Sequence, residues 1–253
     1  MTGQIGGAAT ATAVATDGAV DAALSALALD STSDCLSLAV MKDGVPAASQ
    51  YEDIGRRTTQ EILPRIDALL KGAGLDARAL DLLLVARGPG SFTGTRIGLA
   101  VAITFAQVTG RPLIGVDSLH LLAAQTDPAE RRRFVVLLNC ARDEVYHAAF
   151  RWRDGRLAME GRIALSSLAN LLPELGQTPV VLRRFNPGLA TTAETEAAFA
   201  RLTILPLRHA HPAAVRLLAL GVPQYLEAPQ RTWPRVTPIY LKSEAFRKWR
   251  PAP

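Results

Sequence analysis

The stretch Gly88-Pro89-Gly90-Ser91-Phe92-Thr93-Gly94 is the part of this sequence best suited to chemistry. Glycines leave backbone N–H groups open to a ligand, and the Ser91 and Thr93 hydroxyls stand among them. Spacing excludes three common uses of such a loop. A Walker A loop ends in Gly-Lys-Ser/Thr, whereas this chain reads Gly94-Thr95-Arg96, with no lysine for phosphate. A dinucleotide fingerprint needs a glycine where Thr93 stands. A nucleophile elbow needs glycines at the positions of Pro89 and Thr93. Two accounts remain. In one, the N–H groups and the following helix N-terminus hold an anion or nucleotide, through Gly88, Gly90, Ser91 and Gly94. In the other, the glycines permit only a tight strand-to-helix turn. Asp30-Ser31-Thr32 is a second polar loop at a strand end, where α/β sheets take ligands, so Asp30 and Thr32 join the candidates. A single carboxylate at a hairpin is equally ordinary turn chemistry. Together the two loops could face a shared cleft of a kind that suits a nucleotide.

Other chemistry does not assemble. The histidines, His120, His147, His209 and His211, form no His-Glu-x-x-His or His-x-x-x-His pattern. Cys35 and Cys140 form no Cys-x-x-Cys, have no basic sequence neighbour to favour a thiolate, and are too few for a disulfide framework. No catalytic residue and no metal ligand is assigned. No apolar run approaches the ~18 residues of a membrane span. The 253 residues, 49% apolar and 20% charged, suit one large domain or two smaller ones. Only four of the 28 basic residues are lysine, and the net charge of +5 is spread thinly. That permits contact with nucleic acid without establishing it.

The elements that would carry these loops follow from periodicity. Residues 1–23 are an Ala/Thr/Gly tract without Lys or Arg, expected to be a disordered tail and no targeting signal, which points to the cytoplasm. Strands are predicted at 24–30, Cys35 to Met41 and about 45–51, with Asp43-Gly44 turning the second into the third. A helix over 58–71 places Ile62, Leu63, Ile66, Leu69 and Leu70 on one face, with Pro64 as a bend or first-turn residue. A buried strand, Leu80 to Ala86, enters the Gly-rich loop. A helix from Thr95 to Val108 and a strand from Leu113 to Val116 complete a βαβ unit. A second round reads as strands Phe134 to Asn139, Glu144 to Arg151 and about 156–163, helices near 165–174 and 211–220, and a short strand near 179–183. Hairpins followed by α/β units occur twice, so two similar α/β domains with mixed sheets are expected, over 24–125 and 126–253. The helix from Ile97 to Val108 is apolar nearly all round. A helix covering a sheet needs only a stripe, so its remaining apolar surface must meet the 58–71 helix, the second domain or another subunit.

Leu29-Asp30-Ser31-Thr32, Thr59-Gln60-x-Ile62-Leu63-Pro64 and Arg87-Gly88-Pro89-Gly90-Ser91-Phe92-Thr93-Gly94-x-Arg96-Ile97-Gly98-Leu99-Ala100 resemble the TsaB family, also called YeaZ. Ile114-Gly115-Val116-Asp117-Ser118-Leu119, Glu144-Val145-Tyr146 and Pro238-Ile239-Tyr240-Leu241 fit the same pattern. The likeness runs from about 24 to 248, dense to 120 and thin after 150. It implies two ribonuclease-H-like domains of the actin, Hsp70 and sugar-kinase type. It also implies a non-catalytic subunit of the bacterial machinery for N6-threonylcarbamoyladenosine beside the anticodon of tRNAs reading ANN codons. The implied partners are a TsaD-like transferase and a TsaE-like ATPase, with tRNA met through the complex, a homodimer as an option and no membrane. In the catalytic sibling a His-x-x-x-His pair near the first helix binds metal; Arg57-Thr58-Thr59-Gln60-Glu61-Ile62 offers no imidazole here. Subunit contact through the first domain's helices is then assigned to Ile62, Ile66, Leu69, Ile97, Val101 and Phe105. No cofactor is required, and ATP or ADP at a subunit interface stays open. The competing expectation is an active ATPase or kinase-like enzyme, or a glycoprotease-type peptidase, built on Asp30 and the Gly-rich loop. Two departures stand out: Thr58 where such chains usually carry His, and Asn139-Cys140-Ala141-Arg142-Asp143 ahead of Glu144. The basic end (Arg247, Lys248, Arg250) is read as a solvated terminus.

Overall fold

Strands whose every residue is buried have to sit inside a sheet covered on both faces. Among the described residues, two strands meet that condition, β1 (Ala26–Asp30) and β4 (Leu82–Ala86). They lie side by side and parallel, Ala26 opposite Leu82 and Leu29 opposite Val85. β2 (Cys35–Lys42) and β3 (Val45–Asp53) add an antiparallel meander on one side, and β5 (Leu113–Val116) pairs parallel to β4 on the other. The order is β3-β2-β1-β4-β5. The computed structural model describes residues 23–130, 132–141, 144–184, 193–207, 213–228 and 235–241.

A second mixed sheet repeats the scheme. β6 (Phe134–Ala141), β7 (Glu144–Arg153) and β8 (Arg156–Ser167) form the meander, and β9 (Val180–Arg184) runs parallel to β6, in the order β8-β7-β6-β9. Each sheet is thus an antiparallel meander whose first strand is flanked by a parallel one. That is the ribonuclease-H-like arrangement, present twice.

Helices cover the sheets. α1 (Thr58–Gly72) and α2 (Phe92–Thr109) lie together on one face of the first sheet. α4 (Leu168–Leu175) and α5 (Ala193–Phe199) pack with Val135, Leu137 and Val180 of the second. Between the sheets sits α3 (Ser118–Ala123): Leu119 and Leu122 pack with Phe134, Val136 and Phe150, while Leu121 packs with Leu82 and Leu84. No helix among the described residues is long and apolar enough to cross a membrane.

Placing 126–253 in one C-terminal unit does not survive the packing. α6 (Ala213–Glu227) returns to the first sheet, against β1, β2, β4 and β5. Its Ala214, Leu217, Leu218 and Val222 fill the second face of that sheet with Ala26, Ala28, Leu82 and Leu84. Gly221 is where it seats: a Cβ there would stand 2.2 Å from Leu84 Cδ2. The physical cause is the two-sided burial of β1 and β4, which α1 and α2 satisfy on one face only. Residues 235–241 also run along the first sheet, with Val236 packed into its α1–α2 side.

Two element ends move for local reasons. α2 starts at Phe92 rather than Thr95 because Ser91 caps it, its hydroxyl accepting from Gly94 N at 3.1 Å. α4 starts at Leu168 because β8 runs on to Ser167, which caps it in turn. Pro64 lies inside α1. Residues 1–22 of the tail expected over 1–23, His209 and His211, and the basic end at Arg247, Lys248 and Arg250 lie outside the described residues.

Candidate functional site

β1 and β4 are parallel, so their C-terminal ends bring the Asp30–Thr32 loop and the Gly-rich loop to the same edge. The two loops are fused there. Ser91 N donates to Thr32 O at 2.7 Å, and Ser31 Oγ donates to Gly94 O at 2.8 Å. Ser118, following β5, joins them: its N donates to Gly88 O at 2.8 Å and its Oγ to Thr32 Oγ1 at 3.2 Å.

The glycines make this contact possible. A Cβ at Gly90 would lie 2.3 Å from Thr32 O, and one at Gly94 2.1 Å from Ser31 O. Loop N–H groups that a bound anion would need already have acceptors inside the chain: Ser91 N, Gly94 N and Thr95 N. Of the six candidate binding residues, Asp30 and Thr32 line the cleft, whereas Gly88, Gly90, Ser91 and Gly94 pack beneath it. A C-terminal strap covers this packing. Ile239 N donates to Arg87 O at 2.9 Å, and Tyr240 OH accepts from Arg96 Nε at 2.9 Å while Arg96 lies 3.6 Å over the Phe92 ring. The Pro238-Ile239-Tyr240-Leu241 segment therefore pins the loop from outside.

The cleft itself opens between the two sheets. Asp30, Ser33, Cys35, Ser37, Tyr51 and Ser118 line it from the first sheet's side. Gln125, Leu138 and Arg183 close it from α3 and the second sheet. The cavity volume is about 60 Å³, room for a few waters at roughly 10–15 Å³ each. Gln125 is 4% exposed; its Nε2 donates to Leu121 O at 3.1 Å, and its Oε1 has no partner among the described residues. Arg183 donates to the Tyr51 oxygen, and the Tyr51 hydroxyl reaches Cys35. Burial pushes the Tyr51 hydroxyl up to about 12 and the Cys35 thiol above its ordinary range, so Cys35 sits as a neutral thiol at neutral pH. Among the described residues no three His, Cys, Asp or Glu side chains converge as a metal site.

Asp30 is 8% exposed, and its Oδ1 accepts from Thr32 N at 2.8 Å and Thr32 Oγ1 at 2.7 Å. Desolvation outweighs these bonds and raises its pKa. A raised carboxyl favours the native state below the unfolded value and loses that contribution as pH rises through the folded one. Asp30→Asn keeps an acceptor for Thr32 and carries no charge. The variant is expected to melt higher than the parent at pH 7.5, with the gap closing towards pH 4. A gap that widens on acidification would show that the ionised carboxylate stabilises the fold.

Cys35, Tyr51, Gln125 and Arg183 were missed in the sequence, because they belong to separate elements that only the closing of the sheets unites. Arg183 carried one readable signal, an arginine pair ending an apolar strand, where ligands of parallel strands gather. The contact residues on the helices also need correcting. Ile62 and Ile66, each 1% exposed, point into the core of the first domain and present nothing to a partner. Leu69, Ile97, Val101 and Phe105 are half-buried against the same core. The exposed positions of the pair include instead Leu63 on α1 and Ala100, Thr104 and Val108 on α2, with Leu63 51% and Val108 81% exposed, beside polar Gln60, Asp67 and Gln107.

Comparison with known proteins agrees with this architecture. Residues 51–207 match the family model of TsaD, tRNA N6-adenosine threonylcarbamoyltransferase. The chain is 27% identical over 242 residues to the tRNA threonylcarbamoyladenosine biosynthesis protein TsaB of Haemophilus influenzae, covering 89% of this chain and 96% of that protein. It is 38% identical over 97 residues to TsaB of Escherichia coli, a match spanning 38% of this chain and 42% of the relative. Among solved structures, YeaZ from Pseudomonas aeruginosa superposes with a TM-score of 0.63 at 26% identity, over 86% of this chain and all 100% of that one.

Proposed function

Because the chain belongs to the TsaB (YeaZ) family, sharing the threonylcarbamoyltransferase family model, we propose that it is a non-catalytic subunit of tRNA threonylcarbamoyladenosine biosynthesis that binds and activates a TsaD-like transferase. The observation that carries this reading is the outer face of α1 and α2. Ala100, Thr104 and Val108 form an i, i+4, i+8 row on α2, flanked by half-buried Ile97, Val101 and Phe105, and Leu63 is exposed on the neighbouring α1. An exposed row of small and apolar side chains on two neighbouring helices suits helix-to-helix docking. A TsaE-like ATPase, with ATP or ADP at the subunit interface, would complete the assembly, and tRNA would be met through it.

The test is size-exclusion chromatography with light scattering of this chain mixed with the TsaD homologue of the same organism. A 1:1 complex is expected. Ala100→Glu and Leu63→Glu should each weaken it by about tenfold or more, since either buries an unpaired charge in the contact. Because both side chains are exposed in the lone chain, stability should change by less than about 0.5 kcal/mol. A complex untouched by both substitutions would move the contact elsewhere. No complex, with nucleotide and the ATPase present, would sink the proposal.

A further inference from the structure

α2 carries no Asp or Glu from Phe92 to Thr109, and neither does the 235–241 strap packed beside it. Arg96 stands on this surface one helical turn before Ala100, so it continues the exposed Ala100–Thr104–Val108 row toward the helix N-terminus. Its Nε donates to Tyr240 OH at 2.9 Å, and its guanidinium lies 3.6 Å over the Phe92 ring and 5.4 Å from the centre of the Tyr240 ring. Tyr240 is held in turn, because Ile239 N beside it donates to Arg87 O. Phe92 and Tyr240 are nonetheless 56% and 45% exposed. Among the described residues, neither Nη of Arg96 meets an acceptor and no carboxylate pairs with it. The acids of α1 are matched on their own helix: Glu61 takes Arg57 and Arg65, and Asp67 takes Lys71.

We propose that Arg96 is a specificity-determining residue of the docking face, forming a forked pair with a carboxylate of the transferase, and that Tyr240 positions it. This deepens the docking reading above and rests on it. A guanidinium fixed against two rings has given up its rotamer freedom before the partner arrives, and its open Nη edge fits the two oxygens of a carboxylate. Exposed Arg, Tyr and Phe side by side are also the residue types that anchor protein interfaces. A phosphodiester would answer the charge alone. A helix with one acid beside apolar side chains answers the charge and covers the adjoining Ala100–Thr104–Val108 row, so a protein carboxylate fits this surface better than RNA.

Titration calorimetry of the full chain against the TsaD homologue of the same organism, at about 50 and 300 mM NaCl, tests this. Arg96→Gln should weaken the complex by about tenfold or more, and Arg96→Glu by more still. Arg96→Lys keeps the charge but not the fork, and should recover only part of the loss. Tyr240→Phe keeps the ring and frees Nε, for a loss of about two- to fivefold. Added salt should weaken the parental complex more than the Arg96→Gln complex, which a merely structural role would not produce. The lone variants should melt within about 2 °C of the parent, since both side chains are exposed. Should the Arg96 variants fail to fold, a parental affinity that is flat between the two salt concentrations overturns the proposal. A complex as tight with Arg96→Gln as with the parent also overturns it, and leaves the docking reading standing where Ala100→Glu still weakens that complex. If Arg96→Gln instead lowers binding of a tRNA transcript by the lone chain and spares the protein complex, the arginine serves RNA and the proposal falls. No complex at all sinks both readings.

Discussion

Replacing Ile66 by aspartate is expected to unfold the first domain rather than separate two folded subunits. Thr58, Ile62, Ile66 and Leu70 are the buried residues of α1, each four positions after the last, and they form the stripe laid on the sheet. Ile66 packs in the cluster that contains Leu38, Leu83 and Leu99. An aspartate there loses the transfer energy of the isoleucine, leaves a partly collapsed cavity and buries a carboxylate in an apolar cluster. Together these should cost about 4–5 kcal/mol, a large share of the ~5–15 kcal/mol available to a whole domain. Ile66→Val, which removes one methyl, should cost only about 0.5–1.5 kcal/mol. Denaturant melts of the soluble variants, or loss of soluble expression for the aspartate, provide the readout. A folded Ile66→Asp monomer with parental stability would mean that α1 presents this face outward.

Ile66 also shows where sequence reading stops. The five apolar residues of α1 span a broad arc, and periodicity says that the arc is apolar without saying which edge meets the sheet. Leu63 and Ile66 have the same hydrophobic character, yet one is half exposed and the other sealed. Turns and strands were more legible. Asp43-Gly44 turned β2 into β3, with both residues at positive φ, and the span read for β5 matched its observed ends. Where local signals compete with packing, packing decided. α6 reads as an ordinary amphipathic helix of the second half, and only the bare face of the first sheet explains where it goes. α3 escaped notice because six residues make a weak pattern, although Asp117 announces it by accepting from His120 N at 2.8 Å.

The site divides along the same line. Asp30 and Thr32 could be found because a short polar turn ends an apolar strand. The Gly-rich loop could be found as a special turn, but what its glycines make room for, Ser31 and Thr32, lies in the loop after β1, far away in sequence, and no spacing rule carries that information.

Gly94→Ala should therefore be among the most damaging single-methyl changes in the chain. Its new Cβ would stand 2.1 Å from the carbonyl oxygen of Ser31, and that backbone is held by β1 and by Ser31 Oγ donating to Gly94 O. Relief needs the two loops to part, breaking the Ser91–Thr32 and Ser31–Gly94 bonds together, for a loss of about 3 kcal/mol or more. Gly98→Ala meets a different obstacle, the Ser31 Oγ at 2.2 Å, with Ser31 Cβ already at 3.5 Å. Adding Ser31→Ala removes the obstacle at Gly98 but not the one at Gly94. The Gly98→Ala, Ser31→Ala pair should thus recover most of the ~1–3 kcal/mol lost by Gly98→Ala alone, while Gly94→Ala stays destabilised in the same background. Gly72→Ala serves as the control: nothing lies within 4 Å of its Cβ position, and alanine's helix preference should gain up to about 1 kcal/mol. If the glycines served only to bare N–H groups for an anion, Gly94→Ala would fold normally and no rescue would separate the two positions. Equilibrium unfolding of the set distinguishes these cases, because a clash with backbone and a clash with a removable hydroxyl respond oppositely to one second substitution.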